Sequence, residues 1–456
     1  MGKDGIIFRR KAYDEMQQWK RTLAGTYALL VEGARRVGKT HLIKEFVERE
    51  YESNIFIDFA ANNPLTNAAK RAFRQETSIQ GLLERLTLIS GVRLVPGRSC
   101  LVFDEVQRFP RAREMIKQFV EYGKYHYIES GSLLGIRTNV ANILIPSEEH
   151  KLSMYPLDFE EFMDAMGESV LKEHIRRCFD ERRAMGPDVH DKAMRLYRLY
   201  MVVGGMPQSI VAYLTSEDDR IAAAEVAKRE ILSLYDSDVG KYAKGLAPKV
   251  RAVFRHIPSA LSRREKRFHL TELDRNARMR RYENAFLWLD EAKVVNTAYS
   301  SNSPDVGLTM NLDDAKFKCY YSDTGLLLTQ AMSGAHDINS QLLRAVLYDR
   351  IGVNEGMFFE NVVAQTLVSR GYELLFYSKT DPKDAEQTME IDFLFPRGIK
   401  ACPVEVKSSK FSAHVSLDRL IARFGKHLGP RYVVCTRDYT EEGGIVYLPV
   451  YMAHCL

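Results

Sequence analysis

The stretch GARRVGKT, at residues 33–40, constrains the fold of this chain more than any other feature. A short apolar run, YALLV, comes directly before it, and HLIKEFVERE, with apolar residues at helical spacing, comes directly after it. A strand, a glycine-containing loop and a helix in this order begin an α/β unit. The motif therefore predicts an α/β fold in which a buried strand ends at this loop.

The spacing GxxxxGK[ST] is that of a P-loop, which wraps phosphate oxygens with backbone N–H groups. A chance match is the alternative, but the strand before the loop and the helix after it disfavour this. Lys39 is expected to reach the β- and γ-phosphates of ATP, and Thr40 to offer its hydroxyl to Mg²⁺. The predicted nucleotide-binding residues of the loop are Gly33, Ala34, Arg35, Arg36, Val37, Gly38, Lys39 and Thr40.

Short apolar runs recur and alternate with stretches at helical spacing, which indicates a parallel α/β sheet. The first strands are predicted at residues 27–31, 54–59, 99–103 and 125–129. Residues 157–235 are predicted to be mostly helical, with a turn at GGMP, residues 204–207. A mixed pattern returns after residue 316, with helices near 357–370 and 415–428 and strands near 373–378, 388–395, 400–406, 431–436 and 444–451.

Two acids, Asp104 and Glu105, follow the third predicted strand. Asp104 is expected to hold Mg²⁺, and Glu105 to polarise the attacking water. An ordinary surface turn is the alternative, but the alternating pattern disfavours it. Ser130 and Ser132 follow the fourth strand and are candidates for contact with the γ-phosphate, although the absence of any such role is an equally good interpretation. Arg36 and Arg137 are candidates for a charge-stabilising arginine, and the spacing selects neither.

Positive charge is concentrated in residues 241–281, which contain 13 Lys and Arg but only three acids, in a chain of net charge +5. A basic block of this kind is typical of a face that binds a polyanion such as nucleic acid. A solvated helix surface is an equally good interpretation from charge alone.

A second constellation lies near the end of the chain. Asp392 is in the predicted strand MEIDFLF, and Glu405 and Lys407, two residues apart in PVEVKSS, share one face of the next strand. A hairpin would bring Asp392 beside Glu405, so that both bind Mg²⁺ while Lys407 activates water for phosphodiester cleavage. Glu360, on the helix GMFFENVVAQTL, completes the predicted metal site. Surface Lys–Glu pairs are the common alternative, and such sites also persist as inactive binding modules.

Four segments, GARRVGKTHL, LVFDEVQRFP, YIESGSLLG and MYPLDFEEF, resemble prokaryotic AAA-family (AAA+) ATPases with a nuclease-like C-terminal domain of unknown function. VVGGMPQSIVAYL, FKCYYSDTGLLL and GMFFENVVAQTL resemble the same family in order, so that the likeness covers nearly the whole chain. The D…ExK residues look like the PD-(D/E)xK nuclease signature. One departure is that ILIPSEEHKLS lacks the arginine that relatives often place before MYPLDFEEF, so no arginine finger is assigned.

The resemblance implies four parts. They are an AAA+ P-loop core at residues 1–156, a helical lid at 157–236, a basic winged-helix-like region at 237–310 and a restriction-endonuclease-like α/β domain at 311–456. Residues 250–299 fit a compact helical unit followed by a strand pair, with a recognition helix near 275–290. Because AAA+ hydrolysis usually needs a neighbouring subunit, a homo-oligomer is a candidate assembly.

Two hypotheses follow. The first is an ATP-hydrolysing protein, using ATP and Mg²⁺, whose nucleotide state controls a nucleic-acid-binding, nuclease-like C-terminal half. The second is a nucleotide-gated protein-interaction module whose nuclease-like domain is inactive. A P-loop kinase is a more distant third. Six scattered cysteines without a CxxC pair favour a reduced, cytoplasmic setting, and no apolar run suggests a membrane partner.

Overall fold

The computed structural model describes residues 6–131, 147–243, 245–263, 266–272, 279–304, 307–332, 355–379, 388–409 and 413–456, without the side chains of 272, 279, 280, 314 and 315. The chain divides into two compact units. The P-loop unit consists of Arg9–Tyr155 with Glu291–Lys293, and the second unit of Met1–Phe8, Pro156–Asp290 and Val294–Leu456. Within the described ranges, no helix has the length and apolar character needed to cross a membrane.

The P-loop unit contains one sheet whose strands all run parallel, in the order β2-β3-β4-β1-β5. Its strands are β1 (Ala28–Gly33), β2 (Ser53–Asp58), β3 (Ser99–Asp104), β4 (His126–Gly131) and β5 (Glu149–Met154). Its helices are α1 (Lys11–Thr22), α2 (Lys39–Glu50), α3 (Pro64–Gln75), α4 (Ile79–Ser90), α5 (Pro110–Glu114) and α6 (Ile116–Tyr122). The predicted parallel α/β core is thereby confirmed.

Helices cover both faces of this sheet because successive strand residues point to opposite sides. In β3, Leu101 and Phe103 pack into a core with α3, α4 and α6, whereas Cys100 and Val102 pack into a second core with α1 and α2. Strand β5 has no counterpart among the sequence predictions. Its sequence, EHKLSM, is largely polar because β5 lies at the edge of the sheet, where charged side chains reach solvent.

The second unit begins with a run of helices, as predicted for residues 157–235. They are α7 (Phe159–Ala165), α8 (Ser169–Asp180), α9 (Pro187–Val203), α10 (Pro207–Thr215) and α11 (Arg220–Tyr242). The remaining described helices are α12 (Ala247–Leu261), α13 (Met279–Glu291), α14 (Thr324–Ala331), α15 (Glu355–Ser369) and α16 (Val415–Phe424). The last residue of α13, Glu291, is assigned to the P-loop unit. The predicted GGMP turn joins α9 to α10, and proline fits the first turn of both helices because it needs no N–H partner there.

An eight-stranded mixed sheet lies in the second unit, in the order β12-β13-β11-β10-β9-β8-β6-β7. Its strands are β6 (Val295–Ser301), β7 (Leu312–Tyr321), β8 (Leu375–Lys379), β9 (Met389–Arg397), β10 (Lys400–Val406), β11 (Tyr432–Cys435), β12 (Thr440–Glu442) and β13 (Ile445–Pro449). Strands β9 and β10 form the predicted hairpin.

The region predicted to be winged-helix-like contributes one described strand, β6, to this same sheet. Strand β6 pairs with β7 in antiparallel fashion and with β8 in parallel fashion. The boundary expected at residue 310 therefore falls between two paired strands. The division of the second unit into a lid, a winged helix and a nuclease-like domain stays a prediction.

A buried contact joins the GGMP turn to the residues before α7 and α14. The backbone N–H of Gly205 donates to Asp323 Oδ2 at 2.6 Å, and its carbonyl accepts from Leu157 N at 2.7 Å. Tyr200 donates its hydroxyl to the Leu157 carbonyl at 2.8 Å. Because Gly205 lies so close to Leu157, a side chain at this position would collide with backbone.

The same network continues into α15 through two buried amides. Asn361 accepts from Tyr321 N at 2.8 Å and donates to Thr324 Oγ1 at 2.9 Å. Gln365 accepts from Thr324 N at 2.9 Å and donates to Tyr200 Oη at 2.8 Å. Buried amides with both ends satisfied stabilise one specific arrangement. Four segments that carry the family resemblance therefore meet in one structural network.

Replacing Gly205 by Ala is expected to destabilise the second unit. The new Cβ would lie 2.2 Å from the carbonyl oxygen of Leu157, and backbone cannot move aside as a flexible side chain can. We expect a loss of about 1–3 kcal/mol, measured by thermal or urea denaturation. The matched control is Gly240→Ala in α11, whose Cβ would meet only the end of the Arg251 side chain at 3.3 Å. Equal stability of the two variants would contradict the close approach.

Candidate functional site

The P-loop backbone adopts conformations that glycine permits. Gly33 has φ +154°, and a Cβ there would lie 2.2 Å from the carbonyl oxygen of Met154. Gly38, with φ +100°, precedes the first residue of α2. The helix therefore starts at Lys39, with its unpaired N–H groups directed at the loop. The structure thus places the loop where the sequence predicts it, between β1 and α2.

The side chain of Lys39, near the end of the P-loop, reaches back to the start of the loop. Its ammonium group donates to the carbonyls of Gly33 at 2.9 Å and Ala34 at 3.0 Å, and the residue is buried. Burial lowers the pKa of Lys39, while the neighbouring Glu105 and Asp104 act in the opposite direction. The Lys39 amino group therefore lies inside the loop, near the two predicted acids.

Asp104 joins three of the elements that surround the P-loop. It ends β3, is almost fully buried, and accepts a hydrogen bond from Thr40 Oγ1 at 2.8 Å on Oδ2. Its Oδ1 accepts from the hydroxyl of Ser130, at the end of β4. The structure therefore brings together three predicted site residues that are far apart in sequence. A hydroxyl and a carboxylate are oxygen donors of the kind that Mg²⁺ prefers, so these residues fit the predicted ion.

Glu105 has a backbone conformation that is rare for a residue with a side chain. Its φ of 52° is left-handed, a strain that often marks functional sites. Gln107, which the sequence reasoning missed, donates to Glu105 Oε2 at 2.6 Å. Burial raises the pKa of Glu105, and Lys39 partly opposes this. A carboxylate with a raised pKa is a better proton acceptor near neutral pH.

Arg10 also holds the P-loop, and sequence reasoning missed it. This buried residue donates to the Val37 carbonyl at 3.1 Å and to the Tyr155 carbonyl at 2.6 Å. The sequence gives little signal for it, since Arg10 lies between Arg9 and Lys11 in an ordinary basic run just before α1. Arg35 and Arg36 have exposed side chains, and Ser132 and Arg137 lie outside the described residues.

The predicted nucleic-acid face at residues 241–281 is partly described. Arg251 and Arg255 both contact the carboxylate of Asp236, at 2.8 and 3.5 Å. These pairs are half exposed and contribute little stability, but they reduce the net positive charge of the face. The basic residues Lys244, Arg264, Arg275 and Arg278, and the side chain of Arg280, lie outside the description.

The helix predicted to recognise nucleic acid corresponds to α13. Phe286 packs on the buried side of this helix. The exposed side carries Arg281 and Leu287 together with the acids Glu283 and Asp290. Acids on the exposed side repel phosphates, so the described part of α13 gives no added support to nucleic-acid binding.

The hairpin β9–β10 brings together the predicted nuclease-like residues. Val404 lies opposite Phe393, so that Asp392 and Glu405 are the next residues of the two strands. Val406 donates its N–H to Asp392 Oδ2 at 2.8 Å. Lys407 Nζ lies 2.7 Å from Glu405 Oε1. The hairpin therefore places Asp392 next to Glu405, and Lys407, which directly follows β10, contacts Glu405.

Glu360 faces cations that sequence reasoning missed. It is fully buried on α15, contacts the ammonium of Lys266, and lies 3.3 Å from Lys318 Nζ. Tyr320 donates its hydroxyl to Glu360 at 2.5 Å. The available sequence signal was Lys318 itself, a lone charge in the otherwise apolar run FKCYY. Among the described residues, no group of three or more His, Cys, Asp or Glu is arranged to hold a metal ion.

The fold and the loop define a P-loop domain of the ATPase kind. A family model described as "AAA domain" matches residues 25–163, so this part of the chain is an AAA-type P-loop ATPase domain. Two further models match, "Domain of unknown function (DUF8612)" at residues 194–337 and "Domain of unknown function (DUF4143)" at 355–452. No curated protein matches the chain.

Solved structures show distant similarity. A Walker-type ATPase of Pyrococcus abyssi is 12% identical, with 72% of this chain and 96% of that one covered and a TM-score of 0.46. Cdc6p from Pyrobaculum aerophilum is 11% identical, with coverage of 76% and 97% and a TM-score of 0.28. A signal transduction ATPase with numerous domains and a tetratricopeptide repeat sensor, from Pyrococcus horikoshii, is 11% identical, with coverage of 80% and 50% and a TM-score of 0.29.

An Arg10→Met variant is expected to bind ATP about tenfold more weakly. The change removes two hydrogen bonds from a charged donor to the carbonyls of Val37 and Tyr155. These bonds hold the loop and do not contact nucleotide, so only about 1.4 kcal/mol, the equivalent of tenfold, is expected to appear in the binding free energy. A fluorescent-nucleotide titration measures the affinity. Arg9→Ala, which removes an exposed neighbouring arginine, is the control. Unchanged affinity in Arg10→Met would show that the P-loop does not depend on this contact.

Proposed function

We propose that this protein binds ATP with Mg²⁺ and hydrolyses it, and that its nucleotide state controls the second unit. The single observation that carries the proposal is the cluster of Thr40, Asp104 and Ser130, joined by hydrogen bonds directly beside Lys39. Glu105 follows Asp104 on the same strand end. These are the groups that a P-loop ATPase needs for phosphate, Mg²⁺ and the attacking water.

Each residue has a distinct role in this proposal. The N–H groups of the loop and the ammonium of Lys39 bind the β- and γ-phosphates. Thr40 and Asp104 would hold Mg²⁺, which neutralises phosphate charge when it is bound with ATP. Glu105 orients a water molecule and accepts its proton as the water oxygen attacks the γ-phosphorus. The bond between the γ-phosphorus and the β–γ bridging oxygen breaks, and ADP leaves with the electron pair of that bond. Ser130 holds Asp104 in place and lies where it could contact the γ-phosphate.

A route from the nucleotide to the second unit is part of the proposal. Arg10 holds both the P-loop, at Val37, and the carbonyl of Tyr155, which is the last residue before the second unit begins at Pro156. A change in the loop on nucleotide binding would alter this contact. Coupling of this kind needs two states that nucleotide binds with different affinity.

Glu105→Gln is expected to slow ATP hydrolysis by about 10²–10⁴-fold with little change in ATP binding, because the amide keeps the shape but cannot accept the proton. Lys39→Ala is expected to weaken binding itself, since it removes a charged contact to phosphate. Phosphate release and a nucleotide titration measure the two effects. Glu121→Gln, at an exposed glutamate of the same unit, is the matched control. Equal turnover in wild type and Glu105→Gln would rule out Glu105 as the base.

The second unit has two candidate functions. Support for a metal-dependent nuclease-like half that binds nucleic acid comes from the basic residues 241–281 and from Asp392, Glu405 and Lys407 on neighbouring strands. Support for a protein-interaction module without cleavage comes from Lys318, which contacts the predicted metal-binding acids, and from the mixed charge on α13. We favour the interaction module because a buried ammonium group among those acids opposes metal binding.

A nuclease screen distinguishes these candidates. The full chain is mixed with single- and double-stranded DNA and RNA in Mg²⁺ or Mn²⁺, with and without ATP. We expect no cleavage beyond that of a Lys407→Ala preparation. Metal-dependent cleavage that disappears in both Lys407→Ala and Asp392→Asn would overturn this expectation and support the nuclease.

A further inference from the structure

Lys318 lies at the centre of a cluster of acids in the second unit. It is on β7, has 0% side-chain exposure, and its Nζ lies 2.8 Å from Glu390 Oε1, 3.3 Å from Glu360 Oε1 and 3.6 Å from Asp392 Oδ1. Burial alone would lower the pKa of Lys318, but the three carboxylates more than reverse this and raise it. The side chain is therefore a fixed, charged ammonium group.

The acids of the cluster have further partners. One oxygen of Glu360 contacts the Lys266 ammonium, and the other accepts from the Tyr320 hydroxyl at 2.5 Å. Burial alone would raise the pKa of Glu360. Because the ammonium groups of Lys266 and Lys318 stabilise its charged form, the pKa falls instead to about 2. Both oxygens of the residue predicted to complete the metal site are thus already engaged.

The carboxyl groups on the β9–β10 hairpin also have partners. Asp392 accepts the Val406 N–H, and Glu405 pairs with Lys407 at 2.7 Å. Asp392 also lies 3.6 Å from Lys318 Nζ through its other oxygen. In total, four carboxyl groups face the ammonium groups of three lysines. Little negative charge is left over to attract a divalent cation.

Metal binding would require Lys318 to move. Mg²⁺ and Ca²⁺ take about six or more oxygen ligands at roughly 2.0–2.6 Å, and a divalent ion among these acids would lie within a few ångströms of the ammonium. Two cations repel each other strongly at that distance in a buried site. The Lys318 side chain is fully buried, and its Nζ lies 5.0 Å from the centre of the Phe376 ring. The donor set therefore does not fit a divalent metal.

We infer that Lys318 is the resident cation of this acidic cluster and that the cluster is a metal-independent structural site. The acids that resemble a nuclease signature then hold β7, α15 and the β9–β10 hairpin together. This inference rests on the second candidate under the proposed function, in which the nuclease-like domain is inactive. It does not depend on the ATP site.

The test compares Mn²⁺ binding and thermal unfolding in the full-length wild type and Asp392→Asn, without nucleotide. Calorimetry is expected to show the same Mn²⁺ binding in both proteins. The melting temperature of the wild type is expected to be the same in EDTA and in Mn²⁺. Sub-millimolar Mn²⁺ binding in the wild type that Asp392→Asn removes would overturn the inference.

Removing the internal cation provides a second arm. Lys318→Met leaves its acids without their central partner, so Mn²⁺ should raise its melting temperature by roughly 3–5 °C, with no shift in the wild type. If Lys318→Met does not fold, the pair Lys318→Met/Glu360→Gln, which removes one charge of each sign, is expected to fold and to show no Mn²⁺ shift. A Mn²⁺ shift in the wild type equal to that of Lys318→Met would contradict the inference.

ATP turnover is measured on the same preparations. Lys318 lies in the second unit and makes no part of the P-loop site, so Lys318→Met is expected to keep turnover within about twofold of wild type. Absence of turnover in all of these proteins would count against the proposed ATPase and leave the metal result unaffected. The two proposals can therefore fail separately.

Discussion

The hydrogen bonds that Asp104 accepts from Thr40 and Ser130 are the interaction on which the P-loop unit depends. They fix the ends of β3 and β4 against the start of α2, and they place Glu105 beside the phosphate-binding loop. A buried carboxylate requires such partners, because an unpaired charge away from water is costly. The same contacts that satisfy Asp104 therefore also form the candidate ATP site, so that stability and the proposed function share residues here.

Much of the architecture could be predicted because the signals are local. Apolar runs ending at glycines or acids located β1, β3 and β4, and the alternation of charged and apolar residues located β9 and β10. Strands β5 and β7 were missed for opposite reasons. The first is polar because it lies at a sheet edge, and the second follows a polar turn and carries a lysine inside an apolar run.

The candidate functional residues divide in the same way, into those with a local sequence signal and those without one. The P-loop residues, Asp104 and Ser130 could be found because each follows a strand in a parallel sheet, where strand ends converge. Lys318 could not be assigned a role, because its importance depends on acids on α15 and β9 that only the tertiary fold brings near. Arg10 is similar, since its partners are backbone carbonyls and carry no sequence signal. A local sequence pattern therefore does not predict contacts between charged or polar groups that are far apart in the sequence.

The parallel pairing of β6 with β8 has a consequence for biosynthesis. The P-loop unit is nearly continuous in sequence, so most of it can fold while the ribosome is still translating the rest. The second unit cannot fold so early, because β6 lacks its parallel neighbour β8 until about residue 375 has been made. The Tyr200 hydroxyl likewise lacks its partner until Gln365 has been made. Apolar helices such as α9 and α10 then stay incompletely packed during translation. The nascent chain is therefore most exposed to aggregation, and to chaperones, midway through its synthesis.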